Sequence, residues 1–152
     1  MKKFIVTLFA LSFVVLALES WAGPVEEVTQ IAAPRGKLFE EGTADAYSAA
    51  FADNAVLTSS VSGFRIEGKE AIRSYFAELF QLYPGRRLFT RQATARAYND
   101  DLVVQNGYFA VYWTDQKGEV TQLSLRGSIV WAKNGGRWQI VDQHVSRFPV
   151  MH

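Results

Sequence analysis

The fold is decided close to the C-terminus, in the stretch "RGSIVWAKNGGRWQIVDQHVSRFP" that runs from Arg126 to Pro149. Apolar and polar residues alternate on both sides of "NGG", which is typical of two antiparallel strands joined by a tight turn. As a regular strand, the second half sends Trp138, Asp142 and His144 to one face. We therefore predict a β-hairpin that places a carboxylate and an imidazole on the same side of a sheet.

The length of the hairpin loop decides which residues lie opposite each other. A loop of two residues and a loop of three, Asn134–Gly136, differ in register and so in the pairs they form. We favour the longer loop because buried polar groups need partners, and a group left without one costs about 1–3 kcal/mol. It places Arg126 opposite His144. It also places Ser128 opposite Asp142, which completes a polar network on the face that we expect to meet a second subunit.

Periodicity upstream of the hairpin predicts the remaining elements. Three turn signals, "YNDD", "TDQKGE" and "KNGGR", divide the chain after Arg86 into four long strands. The segment Lys69–Tyr83 carries apolar side chains at three- and four-residue steps, as an amphipathic helix does. Val25–Glu41 also has a helical pattern, which Pro34 should kink or split. Helices followed by a meander of strands predict an α+β domain with its helices on one face of a curved antiparallel sheet.

The first 22 residues have the parts of a secretory signal peptide: two lysines, the apolar run Phe4–Leu18, and the small residues Ser20 and Ala22. We expect cleavage before Gly23 and a periplasmic or secreted protein with no membrane contact after cleavage, since the run is too short to span a bilayer. The remaining segment, 23–152, is predicted to be a single domain with a core of its own.

Composition excludes several classes of partner for this mature segment. It has 14 basic and 14 acidic residues, so it is formally neutral and we expect no nucleic acid partner. The chain has no cysteine, and its only histidines are His144 and the C-terminal His152. The sequence therefore predicts no metal site and no bound cofactor.

These segments, with the closing pattern W-x-I-V-x-x-H-x-S-x-x-P, resemble the nuclear transport factor 2-like superfamily of cone-shaped domains. Within it, the chain is most similar to the SnoaL-like group, and especially to the association domain of calcium/calmodulin-dependent protein kinase II and its bacterial relatives. The matching pieces are "FADNAVLTSS" from Phe51, "EGKEAIRSYFAELF" from Glu67, and the C-terminal hairpin. The resemblance implies a cone around a pocket and, for the kinase domain, assembly into large rings.

The same resemblance implies a pocket that differs in polarity from that of the kinase domain, whose arginines and histidine suit anionic ligands. It places those basic positions at four residues that are all apolar here: Ile72, Phe109, Ile129 and Val145. We therefore expect an apolar pocket for a small, flat ligand, unless these side chains simply fill the core. The predicted ligand-binding residues are Ile72, Tyr75, Phe76, Phe109, Trp113, Ile129, Val141, Gln143 and Val145.

The sequence favours an exported, dimeric protein that binds a small apolar molecule. The strand Leu102–Thr114 has apolar residues on both faces, and helices cover only one face, so we predict a homodimer through the sheet, with larger rings possible. Two alternatives stay open. His144 and Asp142 could be the acid/base pair of a cofactor-independent SnoaL-like enzyme, an isomerase, cyclase or dehydratase, although we favour a structural network at the interface for them. The protein could instead be an assembly module or a protein inhibitor.

Overall fold

Helices come first in the chain and long strands last. The computed structural model describes residues 22–148. The helices are α1 (Pro24–Ala32), α2 (Arg35–Glu41), α3 (Ala44–Ser48) and α4 (Lys69–Leu82), and the strands are β1 (Phe51–Thr58), β2 (Ile66–Glu67), β3 (Arg87–Asn99), β4 (Leu102–Thr114), β5 (Val120–Asn134) and β6 (Arg137–Arg147).

The six strands form one sheet in the order β2-β1-β6-β5-β4-β3. All neighbours are antiparallel except β1 and β6, which run parallel. The helices pack on one face, which we call the inner face; the opposite side is the outer face. A continuous core joins the two layers, and Val28, Phe39 and Ile72 from the helices pack with Trp131 and Ile140 from the sheet. The predicted α+β cone is confirmed.

The helix boundaries follow from local chemistry. Pro34 separates α1 from α2, as predicted, because it cannot donate a backbone hydrogen bond. Thr43 caps α3, accepting a hydrogen bond of 3.2 Å from the Ala46 backbone N–H at its side-chain oxygen. Helix α4 buries Ile72, Phe76 and Leu79 on one stripe, which is the face predicted from the spacing of its apolar residues.

The hairpin loop is shorter than the sequence pattern suggested. Asn134 pairs with Arg137, so the loop consists of Gly135 and Gly136 alone. Both have positive φ, 57° and 77°, which is the conformation of the tight turns that join antiparallel strands. The predicted three-residue loop is therefore wrong: a glycine pair adopts this turn without strain, and nothing requires Asn134 to leave the strand.

A bulge in β6 corrects a second expectation. Trp131 pairs with Ile140 but Val130 pairs with Asp142, which leaves Val141 without a partner across the hairpin. The extra residue reverses the alternation of the strand. Trp138 and Ile140 are therefore buried, while Asp142 is exposed, so the prediction that Trp138 shares a face with Asp142 is wrong.

The shifted register also changes the polar pairs predicted on β5 and β6. His144 lies opposite Ser128, and Ser146 lies opposite Arg126. The predicted pairing of Arg126 with His144 is displaced by two residues. A shift of two keeps His144 and Ser146, which follow the bulge, on the same face as Arg126 and Ser128, because strand side chains alternate with a period of two.

The predicted signal peptide, residues 1–22, lies outside the described residues except for Ala22, and so do Pro149 and His152. Within residues 22–148, no helix is both long enough and apolar enough to cross a membrane.

Candidate functional site

A cavity of about 450 Å³ lies between the inner face of the sheet and the helices α1, α2 and α4. Its opening is marked by lining residues that are themselves exposed: Thr29 and Ala33 at the end of α1, Val61 after β1, and Thr90 and Ala93 on β3. A bulge between Thr90 and Gln92 lets both Thr90 and Ala93 face inward. The cavity therefore opens between the end of α1, the segment after β1 and the strand β3.

Seven of the nine residues predicted to bind a ligand line this cavity: Tyr75, Phe76, Phe109, Trp113, Ile129, Gln143 and Val145. The other two do not. Ile72, a residue of α4, is fully buried in the core. Val141 lies at the bulge of β6 and packs against the core. Most of the predicted positions thus lie at the cavity, together with many residues that were not predicted, and their role in binding stays a prediction.

Asp142 and His144 are both exposed, and within residues 22–148 no hydrogen bond or ion pair joins them. His144 borders the cavity and also a shallow groove on the outer face. Asp142 borders neither of these two sites. The structure does not bring the two side chains together as an acid/base pair, and their catalytic role stays a prediction.

The outer-face groove holds most of the predicted polar network. Asn106 Nδ2 donates a hydrogen bond of 2.7 Å to Ser128 Oγ. Arg126 Nε donates one of 3.2 Å to Ser146 Oγ. Arg96 extends the network with a bond of 3.2 Å to Asn106 Oδ1. These side chains form hydrogen bonds with one another, and the residues that line the groove include Arg96 and Arg126 but no carboxylate.

The strongest polar feature of the cavity is Arg35, which sequence reasoning missed. Arg35 is only 8% exposed. Its guanidinium donates hydrogen bonds of 3.3 Å to the Tyr47 carbonyl oxygen and to Gln143 Oε1. It also lies 4.4 Å from the centroid of the Tyr47 ring and 5.3 Å from that of Phe51, close enough for cation–π attraction. The walls of the apolar cavity therefore include one buried permanent charge.

The spacing of α2 contains a signal for this burial. Arg35 precedes the buried Phe39 by four residues, so the two side chains share one face of the helix. An arginine on the core-facing stripe of a short helix is a candidate for a functional charge, because arginine is almost never buried without a partner.

Two further polar groups border the cavity. Tyr75 Oη and Ser59 Oγ are 2.6 Å apart and share a hydrogen bond. Burial raises the pKa of the Tyr75 hydroxyl above its usual value, and the hydrogen bond to Ser59 partly opposes this shift. Tyr75 is therefore a protonated hydroxyl at neutral pH that can donate to an acceptor.

Trp113 presents an indole N–H that has no hydrogen-bond partner among the described residues. The residue is buried, lines the cavity, and packs edge-on against Phe39 at 5.5 Å between ring centroids. By contrast, the Trp131 indole N–H donates a hydrogen bond of 2.8 Å to Gln105 Oε1. Unsatisfied buried donors are rare in folded proteins, and this N–H is enclosed within the cavity wall.

Residues 22–148 contain no cluster of three or more His, Cys, Asp or Glu side chains arranged to hold a metal ion.

Known proteins share this architecture. The family model described as the SnoaL-like domain matches residues 28–151. A solved structure from Xanthomonas campestris, named as a calcium/calmodulin-dependent protein kinase II association domain, is 24% identical over 83% of this chain and 89% of its own, with a TM-score of 0.74.

Two other solved structures are similar at lower identity. An NTF2-like protein of unknown function from Pseudomonas putida KT2440 is 18% identical over 80% of this chain and 84% of its own, with a TM-score of 0.71. A Streptomyces avermitilis protein, named as a dehydratase of the NTF2-like family, is 12% identical over 84% of this chain and 98% of its own, with a TM-score of 0.73. At these identities the structures establish the fold alone. None of the curated proteins matches the chain.

Proposed function

The chain belongs to the SnoaL-like domain family, and on that premise we propose that it is a small-molecule-binding protein whose ligand enters the cone through the opening between α1, the segment after β1 and β3. The observation that carries the proposal is the cavity itself. Its volume of about 450 Å³ falls within the range of small-molecule sites, roughly 300–1,000 Å³. A tightly packed core contains few voids larger than a water molecule, so this volume is not ordinary packing.

The walls suit a ligand with a flat apolar body. Phe76, Phe109, Ile129 and Val145 provide apolar contacts from α4 and three different strands. Polar groups lie among them at a few separate points, which is how pockets of this kind fix the orientation of a ligand.

We propose binding rather than acid–base catalysis because the cavity offers hydrogen-bond donors and no carboxylate to pair with His144 at its border. No Asp or Glu is found among the described residues that line it. Tyr75 stays protonated at neutral pH because burial raises the pKa of its hydroxyl. Asp142 is exposed and lies away from the lining, so a reaction in the cavity would lack the carboxylate of the proposed pair.

The protein is further proposed to act as an exported homodimer joined through the outer face. The aromatic side chains Phe89, Tyr108 and Phe148 are exposed on this side, and the rings of Tyr108 and Phe148 stack at 5.7 Å. Sedimentation velocity at micromolar concentration should give twice the mass of the mature chain, and Tyr108→Glu should give a monomer. A monomeric wild-type protein would contradict the dimer and leave the binding proposal intact.

The neutral fluorescent probe N-phenyl-1-naphthylamine tests the binding proposal. The mature protein should bind one probe per chain with an increase in fluorescence. Ala93→Trp places a bulky side chain at the opening and should weaken binding at least about tenfold. Ala97→Trp is the matched control, because Ala97 lies on the same face of β3, is also exposed, and does not line the cavity.

Equal binding by the two tryptophan variants would mean that the probe binds outside the cone. Absence of probe binding to the wild-type protein at micromolar concentration would contradict the proposed function. Circular dichroism spectra of both variants, matching that of the wild type, establish that any loss is local to the opening.

A further inference from the structure

We propose that the ligand is an organic anion, a carboxylate on an apolar body, and that Arg35 binds its charged group inside the cavity. This inference rests on the proposed function. It adds to the proposed function the chemical class of the ligand that the cavity binds. Arg35 is on α2, whereas the four positions at which the kinase domain's basic residues are expected are all apolar in this chain.

The charge of Arg35 has no internal counter-ion. None of the ion pairs within residues 22–148 includes this side chain. Both of its hydrogen-bond acceptors, the Tyr47 carbonyl and Gln143 Oε1, are neutral. Burial of an ion without a counter-ion costs several kcal/mol, so the residue lowers the stability of the empty protein. An anionic ligand removes this cost when it binds.

The hydrogen-bonding capacity of the guanidinium is only partly used. Arginine has five N–H donors in a planar fork, and Arg35 uses one at Nη1 and one at Nη2. The remaining donors can bind the two oxygens of a carboxylate, the planar group that best matches this fork. Since Arg35 lines the cavity, a ligand can reach it from inside the cone.

A second buried arginine shows what a purely structural role looks like in this fold. Arg86 donates hydrogen bonds to the carbonyl oxygens of Phe39 and Gly42, the latter at 2.9 Å, where α2 ends. Its charge thus meets the negative end of the helix, and it is not among the residues that line the cavity. Arg35 lies at the opposite end of the same helix and has no such compensation.

The apolar part of the cavity holds the body of such a ligand. Phe109 and Ile129 line it from β4 and β5, whereas Arg35 lines it from α2. A ligand that fits this arrangement carries its carboxylate at one end and a flat ring system at the other.

A matched pair of probes tests the assignment by isothermal titration calorimetry. 1-Naphthaleneacetate and 1-naphthaleneacetamide share one ring system and differ in whether the end group is charged. The wild-type protein should bind the carboxylate at least about tenfold more tightly than the amide, as a charge-assisted hydrogen bond predicts. Arg35→Gln should abolish this preference and leave amide binding within about twofold.

Arg137→Gln is the control for charge alone, since it removes the same charge from an exposed position in the hairpin. It should keep the wild-type preference. Equal affinity of the wild type for the two probes would overturn the anion assignment while confirming that the cavity binds small molecules. Failure of both probes to bind would count against the proposed function itself. If Arg35→Gln does not fold, the ratio measured on the wild-type protein alone decides the assignment.

Discussion

Arg35 and Gln143 meet inside the cone, where Arg35 Nη2 donates a hydrogen bond of 3.3 Å to the side-chain oxygen of a residue 108 positions later in the chain. The contact depends on the bulge at Val141. Without the extra residue, Gln143 would lie on the opposite face of the sheet from Ile140. The irregularity of β6 therefore places a neutral acceptor, rather than a carboxylate, beside the buried charge.

Gln143→Glu should supply the counter-ion that Arg35 lacks. The substitution conserves size and replaces the amide by a carboxylate at the same distance, so we expect the free energy of unfolding to rise by about 1–2 kcal/mol. The internal carboxylate should also compete with an anionic ligand and remove the preference for 1-naphthaleneacetate. Urea denaturation and calorimetry measure the two effects.

Gln105→Glu is the matched control for this substitution. Gln105 lines the same cavity, but its oxygen accepts a hydrogen bond from Trp131 rather than from a cation. Gln105 is half-buried, and a carboxylate there without a cation costs stability, so this variant should be less stable than the wild type. If both variants are destabilised to the same extent, Arg35 is not an uncompensated charge.

Gly36→Ala should stabilise the protein by about 0.5 kcal/mol, because alanine restricts the unfolded chain and favours the helix more than glycine does. The added methyl group would lie 3.7 Å from Leu88, an ordinary contact at the cavity wall. Gly42→Ala should instead destabilise, since its methyl group would lie 2.5 Å from the Leu38 carbonyl oxygen. Thermal denaturation of the two variants should therefore give shifts of opposite sign.

Acid should weaken the attachment of α1 to the C-terminal hairpin. Hydrogen bonds from Lys133, at 2.7 Å, and from Trp138 lower the pKa of the Glu27 carboxyl below its ordinary value of 4.5. A lowered pKa stabilises the fold above that ordinary value, and this contribution is lost as the pH falls through the pKa of the folded state. Glu27→Gln should thus be less stable than the wild type at pH 6.

The difference between Glu27→Gln and the wild type should shrink when urea denaturation is repeated near pH 3. Glu26→Gln, a change at an exposed neighbour, should alter the free energy of unfolding little at either pH. A stability difference for Glu27→Gln that is the same at both pH values would show that the carboxylate charge contributes nothing.

The hairpin turn gives a prediction about the backbone. Gly135→Asn should keep stability within a few tenths of a kcal/mol, because asparagine followed by glycine suits a turn with two positive φ angles. Gly135→Val should lower it by about 1–2 kcal/mol, since a β-branched residue is strained at φ 57°. Equal melting temperatures for the two variants would mean that the loop does not have this register.

The elements were predictable because each has a regular pattern. Pro34, the apolar stripe of α4 and the turn signals between strands act locally, and the structure confirms each of them. The hairpin register was not predictable in the same way, because "NGG" is compatible with loops of two or three residues. The bulge at Val141 was not predictable either, because a prediction from alternating apolar and polar residues assumes a regular strand.

The polar part of the site depends on contacts between distant segments. Arg35 follows a proline in a short helix, where an arginine is usually exposed, and its burial results from the packing of α2 against Tyr47 and β6. The free N–H of Trp113 is likewise a property of the packed cavity. Periodicity identified the apolar wall, but only the assembled cone shows the charge within it.

A crystal structure of the wild-type protein with 1-naphthaleneacetate is the most direct measurement of the central claim. We predict a carboxylate oxygen at about 2.7–3.2 Å from a guanidinium nitrogen of Arg35, with the ring packed against Phe109 and Ile129. A probe bound in the outer-face groove, or one inside the cone with its carboxylate directed away from Arg35, would contradict the claim.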